Sequence, residues 1–151
     1  MDPYFRPILI STALVILLNT IFVLPIQGAP LFSYFIGGLV AVILFKKELK
    51  DKFEDVKTTD AAILGIGTGI VVGAVLTMII AIKLQDVNMQ RFVIDSINEA
   101  MKMRTESEFQ MLEYLGPGFY VVTSIVTILI CSLISLFGGL AVLPFVNKAK
   151  K

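Results

Sequence analysis

Residues 61–82 read AAILGIGTGIVVGAVLTMIIAI, twenty-two positions without a charge. At 1.5 Å per helical residue this stretch is about 33 Å long, enough to cross a hydrocarbon core of about 30 Å. Ala61, Gly65, Gly69, Gly73, Thr77 and Ala81 recur at every fourth position, so a helix here carries a stripe of nearly bare backbone along one face. Small residues at that spacing let helices approach closely where lipid offers no hydrophobic drive for association. The run Gly65-Ile66-Gly67-Thr68-Gly69-Ile70 also invites a dinucleotide-loop reading, which fails: the third glycine position is Ile70, no strand precedes it, and the stretch lies in lipid.

Three more apolar blocks surround this one, at 7–24, 30–45 and 117–146, about 27, 24 and 45 Å as helices. The short block at 30–45 can borrow length from the snorkelling stems of Lys46 and Lys47. The long block must tilt, break near Gly138-Gly139, or project beyond the bilayer. The 151-residue chain is 56% hydrophobic and 17% charged, with a mean hydropathy of +0.86, against about 45–50% and about 25% in soluble domains. Because the excess is gathered into blocks, the pattern excludes a soluble enzyme, a disordered tail and a disulfide scaffold. It predicts an all-α membrane protein, a single domain over 1–151 with four transmembrane helices as two hairpins. A cytoplasmic loop at 46–60 and an amphipathic helical outer loop at 83–116 complete the expected layout.

The first block reads as a retained helix, since Met1 to Arg6 carries one basic and one acidic residue and Gln27-Gly28-Ala29 is a weak cleavage site. Orientation follows from Lys and Arg. With the N-terminus inside, the cytoplasmic segments hold Arg6, Lys46, Lys47, Lys50, Lys52, Lys57, Lys148, Lys150 and Lys151, whereas the outer ones hold only Lys83, Arg91, Lys102 and Arg104. Both termini are expected in the cytoplasm, with the spans in the plasma (inner) membrane.

Between the spans, Lys47 with Asp51, Glu48 with Lys52 and Lys50 with Glu54 pair opposite charges four apart, predicting a solvated helix continuing from the second span across 46–57. Asp60 or Thr59 is expected to cap the third span. In the outer loop Met89, Val93, Ile97, Ala100 and Met101 share one helical face, with Gln90, Arg91, Asp95, Asn98, Glu99 and Lys102 mostly elsewhere. Thr105 with Glu108 fits a capping box opening a second helix before Gly116-Pro117-Gly118. This pair reads as a roof over the outer ends, and the alternative makes Met89, Val93, Ile97 and Met101 a docking face for another protein.

Partners for the glycine stripe are present. Thr123, Thr127, Cys131, Ser135 and Gly139 repeat its spacing in the last block, and Ser33, Gly37 and Ala41 repeat it in the second. The first block adds Ser11, Thr12, Asn19 and Thr20, hydroxyls of a kind that commonly bond back to their own helix. Asn19 is expected to reach the headgroups or a neighbouring carbonyl. Phe35-Ile36-Gly37-Gly38-Leu39 and Leu136-Phe137-Gly138-Gly139-Leu140 suggest a parallel two-plus-two repeat.

The blocks contain no Asp, Glu, Lys, Arg or His, the groups that proton-coupled carriers, pumps and voltage sensors keep at depth. The chain has no histidine, and its single cysteine, Cys131, reads as a packing residue. No base or metal cluster can be assembled, so neither catalysis nor a cofactor nor a metal is expected. Glu106, Glu108 and Glu113 read as helical solvation rather than a cation site. A net charge of +1 points to no nucleic acid.

Gly37-Gly38 with Ala41, a charged inner loop, Asp60 leading into Gly65, Gly69 and Gly73, and a last helix with Gly138-Gly139 together give a pattern that resembles small prokaryotic four-helix integral membrane protein families of uncharacterised function. The resemblance assigns no functional residue; Pro144 and the long outer loop depart from it. The expected role is a non-catalytic scaffold or accessory subunit held by small-residue packing, partnered by the bilayer and by another membrane protein or a second copy. The alternative is an oligomeric transporter or channel for a neutral or hydrophobic solute.

Overall fold

The computed structural model describes residues 3–21, 29–49, 55–83, 85, 86, 88, 91, 95, 99 and 117–148. These contain four long helices and no strand: α1 Phe5–Ile21, α2 Ala29–Glu48, α3 Thr58–Lys83 and α4 Pro117–Lys148. Three of them are long and apolar enough to cross a membrane, over Pro30–Glu48, Thr58–Lys83 and Tyr120–Lys148, while the apolar Phe5–Thr20 is shorter. Local chemistry explains the ends. Pro7, Pro30 and Pro117 each sit in the first turn of a helix, where a missing N–H breaks no intrahelical bond. Lys46 and Lys47, Lys83, and Lys148 occupy last turns, complementing the negative end of the helix dipole.

The chain divides into two compact units, Met1–Ala74 with Thr127–Lys151, and Val75–Val126. In the first, contacts fix the direction of every helix. Asn19 meets Ser33 and the Gly37 position faces Val15, so α1 and α2 are antiparallel. Tyr4 meets Asp60 and Ser11 meets Thr68, so α1 and α3 are parallel. Along α3, Gly65, Gly69 and Gly73 face Leu136, Ser132 and Ile128 in turn, an antiparallel pairing with α4. The interior mixes apolar side chains such as Val15, Leu64 and Val72 with the buried hydroxyls of Ser11, Thr12, Ser33, Thr68 and Ser135, whereas many large apolar side chains point outward, Phe137 62% and Phe145 76% exposed. Large apolar side chains exposed in such number depart from the soluble pattern.

At one end of this unit Ala41, Val42, Phe45, Val56, Ala61, Leu64 and Val142 form an apolar cluster. Here the expected helix across 46–57 is corrected. Helix α2 stops at Glu48, and 55–57 are not helical, because Val56 is bound elsewhere: the Asn147 side chain accepts from its N–H at 3.1 Å and donates to its carbonyl at 3.0 Å. The charge pairs that suggested a helix involve Lys50, Asp51, Lys52 and Glu54, outside the described residues. The expected cap is also revised. Lys57 is the capping residue, its carbonyl accepting from the Asp60 and Ala61 amides, while Asp60 sits three residues in and accepts the Lys57 N–H at 3.2 Å, the reciprocal half of a capping box. No break occurs at Gly138-Gly139; α4 runs 32 residues, about 48 Å, and carries Pro144 within it.

The second unit contains Val75 to Lys83 of α3 and Pro117 to Val126 of α4. Past α3, Gln85 and Asp86 turn on the carbonyls of Ile82 and Lys83, and the Asp86 carboxylate accepts the Asn88 amide at 2.9 Å. Asn88, Arg91, Asp95 and Glu99 are helical and exposed. Met89, Val93, Ile97 and Met101, and likewise Thr105, Glu106, Glu108 and Glu113, lie outside the described residues.

Candidate functional site

The small and hydroxylated residues singled out in the sequence fall into three seams of the first unit. The α3–α4 seam is the tightest. A Cβ on Gly65 would lie 2.7 Å from the Leu136 Cα, one on Gly73 2.7 Å from the Ile128 Cα, and one on Gly69 would collide with the Ser132 backbone. Ala61 is fully buried, its carbonyl 2.9 Å from a Cβ placed on Gly139. The α4 backbone facing this stripe is shared by two adjacent rows: Ile128, Ser132 and Leu136 present Cα atoms, and Cys131, Ser135 and Gly139 of the expected row meet Gly69, Gly65 and Ala61.

The Ser135 side chain of that row turns toward α2. Ser135 donates to the Tyr34 carbonyl at 2.9 Å, and Tyr34 and Cys131 line one groove together. Cys131 is a free, buried thiol. The crossing itself is reciprocal: a Cβ on Gly38 would run into the Ser135 carbonyl, and one on Gly138 into the Phe35 carbonyl. Glycine Cα groups against carbonyl oxygens are a recurrent close contact between helices. The pairing relates Phe35 to Gly138 and Gly38 to Ser135, so the two Gly-Gly-Leu motifs cross one another rather than lying on separate seams. On the side away from the cluster, α2 and α4 leave an open groove of about 280 Å³ lined by Pro30, Leu31, Tyr34, Thr127, Ile130 and Cys131.

The third seam holds α1. Asn19 donates both to the Val15 carbonyl of its own helix, at 3.0 Å, and to the Ser33 hydroxyl, at 2.9 Å. Ser33 in turn donates to the Pro30 carbonyl. Gly37 faces Val15 and Thr68, and Ala41 is fully buried, so the α2 stripe of Ser33, Gly37 and Ala41 looks toward α1 and α3. Ser11, Thr20 and Ser132 each bond back to a carbonyl three or four residues earlier. One interior hydroxyl, Thr12 Oγ1, is buried with no partner. Thr77 and Thr123 belong to the second unit.

Two attachments at the cluster end have no counterpart in the sequence pattern. Tyr4 stacks on Phe45 with ring centroids 5.0 Å apart, and its hydroxyl donates to Asp60 at 2.8 Å. The second is the Asn147–Val56 pair. The signal that could have found them is the same in both cases, an uncharged polar side chain beside the edge of an apolar block. Among the described residues no three of His, Cys, Asp and Glu are gathered as a metal site would need. Comparison with protein-family models, with curated proteins and with solved structures gives no match.

Proposed function

We propose that this chain is a non-catalytic integral membrane protein, a scaffold or accessory subunit of a membrane assembly, with four spans and both termini in the cytoplasm. The observation that carries the reading is how the interior polar groups are used. Ser11 with Thr68, Asn19 with Ser33 and Ser135 with Tyr34 bond helix to helix, and the glycines bring backbone onto backbone. A side chain committed to a neighbouring helix is not available to a substrate. Outside those seams the faces are apolar, as lipid or a partner helix requires.

The same contacts support the topology. Helix α1, about 26 Å long, falls a few ångströms short of the hydrocarbon core, a mismatch that costs fractions of a kcal/mol per Å. The Tyr4–Asp60 and Asn147–Val56 bonds bring the start of α1 and the end of α4 to the end where Arg6, Lys46, Lys47, Lys57 and Lys148 lie. Such a concentration of basic residues marks the cytoplasmic side.

The test is purification from native membranes in mild detergent, with mass measurement and identification of every co-purifying chain. A foreign chain at fixed stoichiometry is the expected result. A lone monomer or homo-oligomer sinks the accessory-subunit reading. The groove between α2 and α4 is the observation favouring a second reading, an oligomeric transporter or channel for a neutral or hydrophobic solute, and solute flux in liposomes tests that.

A further inference from the structure

We propose that Arg6, Lys57 and Lys148 together bind the phosphate of an anionic phospholipid headgroup at the cluster end of the first unit. This site rests on the membrane-spanning reading, and the scaffold role stands with or without it.

Three cations from three separate helix ends are gathered here. Arg6 lies in the first turn of α1, Lys57 caps α3, and Lys148 is the last residue of α4. Two bonded attachments hold those ends together. Tyr4, two residues before Arg6, donates to Asp60, which also accepts the Lys57 N–H. Val56, in a non-helical strap at 55–57, is clasped through both of its backbone groups by Asn147. Lys57 and Lys148 are the residues that directly follow this bonded pair. All three side chains are exposed, and among the described residues no carboxylate forms an ion pair with any of them.

This end carries an excess of positive charge. Among the described residues Arg6, Lys46, Lys47, Lys57 and Lys148 face only Glu48, Asp55 and Asp60, and Asp60 already accepts through both of its oxygens. Like charges held together repel, and an anion shared between them relieves the repulsion. Helix α1 adds to the attraction: it begins here, and its Phe5 and Arg6 amides precede the first bond, from the Ile8 N–H to the Tyr4 carbonyl. Arginine offers phosphate a planar fork and lysine a point charge. Exposed apolar side chains make the source a lipid rather than a free anion. Phe5 adjoins Arg6 and Phe145 lies within a turn of Lys148; they are 50% and 76% exposed, an apolar border that suits acyl chains. The cytoplasmic leaflet supplies such anionic headgroups.

The experiment titrates phosphatidylglycerol into dodecyl maltoside micelles of the full chain and reads thermal unfolding at each mole fraction. Phosphatidylcholine and inorganic phosphate are titrated in parallel. Phosphatidylglycerol alone is expected to protect at low mole fraction. A basic residue near an anionic surface contributes about fivefold in affinity, so Lys57→Gln should raise the protecting mole fraction about fivefold. Arg6→Gln, Lys57→Gln and Lys148→Gln combined should raise it more than about tenfold. Lys83→Gln with Arg91→Gln removes two exposed cations at and beyond the other end of α3 and should change nothing. Lys57→Arg with Lys148→Arg keeps the charge and should keep the protection. Equal protection by phosphatidylcholine overturns the site, and protection by inorganic phosphate overturns the lipid as its ligand. A loss from the Lys83 and Arg91 pair matching that from the triple variant reduces the effect to net charge and also overturns it. A chain that stays dispersed without detergent removes the membrane reading, and the site with it.

Discussion

The α3–α4 seam and the α1 seams solve one problem by opposite means. Lipid tails are as apolar as leucine, so helices in a bilayer gain little by hiding hydrophobic surface from their surroundings. Helix α3 meets α4 through what it lacks: Gly65, Gly69 and Gly73 present bare backbone, and the atoms they face are mostly backbone as well. Helix α1 contains no glycine. It is joined through Tyr4, Ser11 and Asn19, each reaching a side chain on another helix. The first arrangement depends on shape and tolerates no added atom. The second depends on bonds whose net value is modest and whose loss can be absorbed.

The largest expected effect therefore belongs to the glycine seam. Gly69→Leu places a branched side chain where the Ser132 backbone already lies, and a helix backbone cannot yield as a side-chain tip can. The cost should exceed about 3 kcal/mol, read as loss of the monodisperse folded species in detergent sizing. A normal elution profile would mean the stripe faces lipid, and the shape-based account would fail. Gly118→Ala sharpens the point, because a Cβ there meets nothing within 4 Å. With no contact to violate, the substitution should leave folding intact and raise stability by about 0.4–1 kcal/mol through the unfolded chain.

An intermediate effect is expected where α1 is bonded to α2. Asn19→Leu removes the donor to Ser33 and to the Val15 carbonyl. Ser33 keeps its own bond to Pro30, so nothing buried is stranded. Interhelical bonds in membranes average about 0.6 kcal/mol and reach about 1.7, so the stability measured by unfolding in detergent should fall by an amount within that range. A loss as large as that of Gly69→Leu would erase the distinction between the two seams.

Periodicity made the helices and the small-residue faces legible, and the structure shows why it could not choose their neighbours. The rows Thr127-Cys131-Ser135 and Ile128-Ser132-Leu136 have the same spacing and differ only by one step around the helix. A bias toward small side chains favours the first. Glycine seeks a close backbone, and both rows provide it, the Cys131 and Ser135 carbonyls beside the Ile128, Ser132 and Leu136 Cα atoms. The strap was illegible for a different reason. Charges four apart from Lys47 to Glu54 are a local signal for helix, whereas Val56 is held by Asn147, ninety-one residues away. No local pattern encodes that pairing. Asp60 lies between the two cases: its place at the start of α3 was legible, but its double duty, accepting both the Lys57 amide and the Tyr4 hydroxyl, needs α1 in position.

The smallest effect, and the one whose sign is most informative, lies at Thr12. Its hydroxyl is buried among the helices of the first unit and has no hydrogen-bond partner, while the neighbouring Ser11 is bonded both to the Ile8 carbonyl and to Thr68. Thr12→Val keeps the branched shape and removes only the unpaired oxygen. Burying a hydroxyl without a partner costs about 1–3 kcal/mol by mutational measures, part of which valine should recover. The expected result is a midpoint of unfolding equal to or above that of the parent chain, with gains of up to about 1 kcal/mol. The same replacement at Thr68 should destabilise, because it removes the bond that joins Ser11 to α3 across the α1–α3 contact. If Thr12→Val instead costs as much as Thr68→Val, the Thr12 hydroxyl has a partner in the membrane after all, and α1 is bonded into the bundle along more of its length than Tyr4, Ser11 and Asn19 account for.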